Sequence, residues 1–386
     1  MPQEAPLPAA TAAAAKKKRP MGLKARAANK KQKNNAETSE PTTGINDFDE
    51  ASMATIMLKN TTGENGEATE VDELEGIFDS AMAELGADST ERALTLLRGT
   101  IHECDRILRL HHHDANEVPL EPKFYYIYGT ALYSITKLAE EDEDIKERKE
   151  YLELALERLD QARGAITGAE PFAWRVHVGM AKAALELLAF NGDDGLDVPL
   201  QSLDSALAAM EHDPATQTDT ESLAIVDLVL SLADSRRFPP LLNAKLVAWG
   251  ETKLRVILED SQSADARYLL ARALWLQASE LLDAQEEEEE EEDERIAEEA
   301  KIKDLLSKAN ELLEDGASSD ALLLRGEVIL NLGNVQDDDN EQEKFYGMAV
   351  DAFKRAQKLG DIPDQFVQLI NDFEQDDDDD DKESGE

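Results

Sequence analysis

From residue 71 onward, large apolar side chains recur every three or four residues, the spacing that puts them on one face of an α-helix. Leu74, Ile77, Phe78, Met82 and Leu85 open the series and Gly86 closes it. Ala93, Leu96, Leu97, Ile101, Cys104, Ile107 and Leu108 form the next stripe. The same period predicts further helices over 124–138, 151–165, 172–190, 200–210, 221–232, 241–258, 264–282, 295–313, 319–332, 343–359 and 364–373. No segment sustains the alternation of β-branched residues that a half-buried strand needs. Abundant Ala, Leu and Glu suit the reading, because these side chains lose little conformational freedom in a helix. The chain is therefore expected to be all-α.

The way small residues fall within these helices indicates how they pair. In a helical hairpin the first helix needs a small residue near its middle for the second to approach closely. Gly129 fits that place, and Ala155, Leu159 and Ala162 fit the facing helix. Gly326 repeats the pattern, with Ala349, Phe353 and Ala356 opposite it, and Ala271 with Leu274 gives a third instance. Acidic stretches at 140–150, 286–294 and 337–341 lie between helices and read as enlarged polar loops. The fold class expected is a tetratricopeptide-like α-α superhelix, a solenoid of helical hairpins with acidic inter-helix loops; a non-repetitive helical bundle is the alternative. The body spans 71–373. Residues 1–70 and 374–386 hold too few large apolar groups to offset ordering entropy, so they read as a basic and an acidic disordered tail.

Charge is segregated between these parts. Residues 16–33 carry nine Lys or Arg and no acid, on a chain whose formal net charge is −44. Lys16, Lys17, Lys18 and Arg19 form one cluster, and Lys30, Lys31 and Lys33 form a second beyond a ten-residue spacer. That spacing matches a bipartite nuclear localisation signal, which needs two basic groups on extended backbone for the acidic groove of an importin. Pro20 disfavours a helix across the first cluster. The acidic body repels nucleic acid and anionic membranes alike, so neither is an expected direct partner. No stretch is apolar for eighteen residues, a secretory signal is not expected, and the single cysteine excludes an internal disulfide; a nuclear protein is expected. The acidic runs 286–294 and 376–381 read as solvated spacers.

Chemistry-bearing motifs are sparse. His111, His112, His113 and Asp114 contain a His-x-Asp pair and His177 lies distant, as in an iron facial triad, but a chain without strands offers no barrel for it. These residues read as a polar helix end, where histidine meets the helix dipole favourably. Cys104 reads as a small buried hydrophobe. There is no phosphate loop, nucleophile elbow or zinc spacing, so no enzyme, cofactor or metal is expected. The expected functional surface is the groove lined by the first helix of each hairpin. Its candidates are Tyr125, Tyr126, Arg175, His177, Arg267, Tyr268, Arg272 and Arg325, with Tyr128 assigned to the core.

The run Lys18-Arg19-Pro20-Met21-Gly22-Leu23-Lys24-Ala25-Arg26, followed by Lys30, Lys31, Gln32 and Lys33, is similar to the N-terminal signature of a fungal nuclear family, the enhancers of translation termination. The resemblance extends through the helical body and the acidic insertions. It implies a tetratricopeptide-like adaptor that binds a 2-oxoglutarate- and Fe(II)-dependent prolyl dioxygenase and supports its nuclear import through an importin. It further implies an influence on hypoxia- and sterol-responsive transcription and on translation termination. The competing expectation is an acidic histone or ribosomal-protein chaperone that uses the acidic runs directly.

Overall fold

The computed structural model describes residues 70–87, 89–111, 119–138, 145–167, 170, 172–191, 195–211, 218–287 and 292–383. The basic segment and its localisation residues, and His112 to Asp114, lie outside them. Among the described residues there are thirteen α-helices and no strand, in the order the periodicity predicts. They fall into two compact units, one within residues 47–290 and the other holding residues 291–386.

The larger unit contains α1 (Glu70–Gly86), α2 (Thr90–His111), α3 (Pro122–Leu138), α4 (Ile145–Ala165), α5 (Ala173–Asn191), α6 (Asp197–Met210), α7 (Thr218–Asp234), α8 (Pro240–Asp260) and α9 (Ala264–Glu287). The hairpins α1/α2, α3/α4 and α5/α6 follow one another, and α3 also touches α1 and α5. First helices therefore neighbour first helices, as in stacked helical repeats. Helix α9 packs on both α8 and α7. The other unit holds α10 (Glu292–Leu312), α11 (Ser319–Asn334), α12 (Asp339–Gln357) and α13 (Asp364–Glu383), centred on the α11/α12 hairpin.

Close approach explains the hairpins. A Cβ on Gly129 would stand 2.6 Å from Leu159 Cγ and 3.0 Å from the carbonyl oxygen of Ala155. A Cβ on Gly326 would stand 2.6 Å from Cδ1 of Phe353. Both glycines meet the residues expected from the sequence. Gly333 adds a contact not foreseen, against Tyr346 and Phe345. Since position 326 meets 353 and position 333 meets 346, α11 and α12 run antiparallel. Around these contacts Phe124, Ile127, Leu132, Leu74 and Leu97 build one core, with Cys104 fully buried in it, and Phe353, Phe366, Ile329 and Val350 build the core of the other unit.

Two expectations need correction. Much of the stretches read as acidic loops is helical: α4 begins at Ile145 and α12 at Asp339. Acids are favoured at a helix N-terminus by its dipole, and the Asp338 carboxylate caps α12, accepting from the backbone N–H of Asn340 and Glu341 at 2.9 and 3.0 Å. The last helix runs ten residues past Phe373.

Candidate partner-binding face

The first helices α1, α3 and α5 present a shared strip of aromatic and charged side chains. On α3 the residues Lys123, Tyr126, Thr130, Tyr133 and Lys137 recur at three- and four-residue steps and so line one side of the helix. At its start Lys123 pairs with Glu75 of α1. Tyr126 meets Phe78 edge-on at a centroid distance of 6.4 Å, and Phe172 at 5.8 Å. Arg175 of α5 is exposed, its guanidinium 5.1 Å from the Trp174 ring. Asp79 of α1 has its carboxyl pushed up by burial and by Glu75, with Lys123 and Arg175 opposing. Burial also pushes the Tyr126 phenol up, so it stays a protonated hydrogen-bonding group.

Further along the strip lies a cluster that the sequence reading did not anticipate. Glu186 of α5 is buried, its side chain 4% exposed. Its carboxylate pairs with Lys137 of α3 and, at 2.7 Å, with Arg237 from the α7–α8 connection. Burial acts to raise the Glu186 pKa, but the hydrogen bonds from Arg237 and Lys137 outweigh it and hold the group below the ordinary carboxylate range. Arg237 is brought there by an unusual turn: Arg236 adopts φ = 53°, the left-handed conformation that commonly ends a helix and is normally left to glycine. A glutamate inside the apolar run Ala183–Ala189 was the available signal for this cluster; its partners, 49 and 51 positions away, were not.

Of the eight candidate contact residues, the structure brings Tyr126 and Arg175 together. Tyr125 is half-buried on the neighbouring side of α3, edge-on to Phe124 at 5.2 Å. His177 faces Arg163 of α4, and burial, then that charge, push its pKa down. Arg272 clamps α9 to α7 through Asp227 at 2.8 Å and Asp234 at 3.1 Å. Arg267 and Tyr268 are partly buried in the first turns of α9 and engaged in contacts there. Arg325 lies in the other unit, donating to Asn310 at 3.1 Å and to the Glu314 carbonyl at 3.3 Å. Tyr128 is core, its hydroxyl donating to Asp105.

His177 supplies a pH-dependent test. Its folded pKa lies below the ordinary 6.5, so in that window the unfolded chain binds more protons and stability falls as pH falls. His177→Gln is expected to lose less Tm than the wild type between about pH 7 and pH 5. Equal slopes for the two proteins would place the imidazole in solvent.

Among the described residues no helix is long and apolar enough to cross a membrane, and no group of His, Cys, Asp or Glu is placed to hold a metal ion. Successive helical hairpins with an aromatic and charged strip on their first helices define a helical-repeat scaffold of the protein-binding class. The family described as "Nuclear pore complex subunit Nro1" matches residues 14–188, which include the basic segment, α1 to α4 and most of α5. The chain is similar to the Schizosaccharomyces pombe protein "Negative regulator of ofd1", at 25% identity over 92% of this chain and 98% of that one. It is also similar to Enhancer of translation termination 1 of Clavispora lusitaniae, at 28% identity over 50% of this chain and 46% of that one. A solved structure of the S. pombe nuclear import adaptor Nro1 superposes with a TM-score of 0.50 and 19% identity, covering 83% of this chain and 99% of that one; it shows a shared fold. The resemblance drawn from the basic segment and the all-α expectation both hold, and the nuclear destination agrees with the family's description.

Proposed function

We propose that the chain is a non-catalytic nuclear adaptor. Its helical body holds a protein partner while residues 16–33 engage an importin, and the pair enters the nucleus together. The partner is a 2-oxoglutarate- and Fe(II)-dependent prolyl dioxygenase, and through it the chain influences hypoxia- and sterol-responsive transcription and translation termination. One observation carries this reading: similarity to a fission-yeast protein named as a negative regulator of ofd1 runs over nearly that protein's whole length. The family match supports it, since it takes in both the basic segment and most of the α1–α3–α5 strip. The enzymatic chemistry then belongs to the partner, and the candidate contacts are the aromatic and arginine groups of the strip.

Binding measured with and without the acidic runs tests the proposal. Deleting residues 286–294 and 376–381 from the full chain is expected to leave affinity for the dioxygenase within a few-fold, with a modest dependence on salt. Loss of binding in the deletion, together with steep weakening by salt and capture of histones or ribosomal proteins instead, would identify an acidic chaperone.

A further inference from the structure

The Glu186 cluster contains more positive charge than the fold uses. Lys137 and Arg237 each reach the buried carboxylate, yet their side chains remain 38% and 37% exposed. An ammonium has three donors and a guanidinium five, so both keep N–H groups directed away from Glu186. Lys182 stands one helical turn before Glu186 on α5, half-buried. Among the described residues it makes no hydrogen bond or ion pair, and Glu221 acts on it through charge alone. Burial, and then the like charge of Lys137, push its pKa down. The half-buried ammonium therefore stands near a second cation, with the charge of Glu221 opposing. Tyr133, under the Lys137 ammonium at 5.6 Å, adds a protonated phenol to the same spot, its pKa pushed up by burial and then by Glu186.

We propose that Lys182, with the outward N–H groups of Lys137 and Arg237, forms a carboxylate-binding subsite that takes an acidic segment of the protein partner. The proposal rests on the adaptor reading and deepens it by naming the chemistry recognised at the strip. Glu186 is the floor of the subsite: it fixes two cationic heads and is itself too buried to reach the ligand. An incoming carboxylate adds to the distant counter-charge of Glu221 a direct partner for Lys182, through charge-assisted hydrogen bonds that a neutral segment cannot make. The surroundings sharpen selectivity. A chain of net charge −44 repels acidic peptides in general, so one that binds must do so at a local concentration of positive charge.

The test uses the full chain, a fluorescein-labelled hexapeptide of glutamate, aspartate and one phenylalanine, and fluorescence anisotropy. Saturable binding is expected, weakened about tenfold or more by Lys182→Gln and unchanged by Arg92→Gln, which removes an exposed cation on α2. The Tm of Lys182→Gln is expected to equal or exceed that of the wild type, because a half-buried charge near Lys137 is gone. Unchanged peptide affinity in Lys182→Gln, absence of saturable binding by the wild type, or a lower Tm in the variant would each overturn the proposal; the last assigns Lys182 to the fold. The dioxygenase, titrated in parallel, separates the two readings. If it binds wild type and Lys182→Gln alike, the subsite fails and the adaptor stands. If the peptide binds as expected and the dioxygenase does not, the subsite stands and that partner is wrong.

Discussion

Gly326→Ala is expected to lower stability by about 2 kcal/mol, although alanine is the better helix former by about 1 kcal/mol. The added methyl would meet Phe353 at 2.6 Å from Cδ1 and 2.7 Å from Cζ. The ring cannot retreat: Phe353 is fully buried and stacked on Phe366 at a centroid distance of 4.4 Å. Either α12 moves away from α11 or the aromatic stack opens, and both sacrifice close packing. Gly129→Ala should behave alike against Leu159 and Ala155. Gly99 provides the contrast, because a Cβ there meets nothing within 4 Å. Gly99→Ala should therefore gain about 0.5–1 kcal/mol. Helical circular dichroism in denaturant follows Gly326→Ala, and tryptophan fluorescence follows the other two, since Trp174, Trp249 and Trp275 all lie in the larger unit. A stabilised Gly326→Ala would mean the helices do not pack as closely as described.

The second large effect is electrostatic. Removing both cations with Lys137→Ala and Arg237→Ala leaves the Glu186 carboxylate buried and unpaired. Breaking a fully buried pair costs about 3–5 kcal/mol, but these cations are more than a third exposed, so about 2 kcal/mol is expected at neutral pH. The pH dependence should change sign. In the wild type the folded pKa of Glu186 lies below its ordinary 4.5, so the group's stabilising contribution is present above that value and is lost as pH falls through the folded pKa. In the double variant burial acts unopposed and raises the carboxyl, so its contribution to stability should improve as pH falls toward the new pKa. Adding Glu186→Gln to the double variant should recover most of the loss at neutral pH. No recovery would mean that the two cations stabilise α3 and the α7–α8 connection by some route other than the carboxylate.

Much of the fold was readable from residue spacing, because helical period and small-residue placement are local signals. Gly129 facing Ala155 and Leu159, and Gly326 facing Phe353, followed from the need for close approach between neighbouring helices. Helix starts at 145 and 339 were hidden because the same acids that mark a solvated loop also favour a helix N-terminus. The division at the glutamate run was hidden too, since a run of like charge reads equally as a spacer within one body or as a boundary between two. At the candidate strip, Tyr126 and Arg175 were legible as aromatic and arginine groups on first helices. Arg272 and Arg325 share that residue type but are occupied by Asp227, Asp234 and Asn310, pairings between helices that no local pattern encodes. The Lys137–Glu186–Arg237 cluster joins three separate parts of the chain and announces itself in the sequence only as one acid within an apolar run.

The adaptor account is tested most directly by where the dioxygenase resides. In cells lacking this protein, a fluorescent fusion of the dioxygenase is followed while the full chain is restored, as wild type or with Lys17, Lys18, Arg19, Lys30 and Lys31 replaced by alanine. The account predicts nuclear enrichment of the dioxygenase with the wild type, and cytoplasmic retention of both proteins, still bound to each other, with the substituted chain. A dioxygenase equally nuclear in both cases, or nuclear without this protein at all, would contradict it.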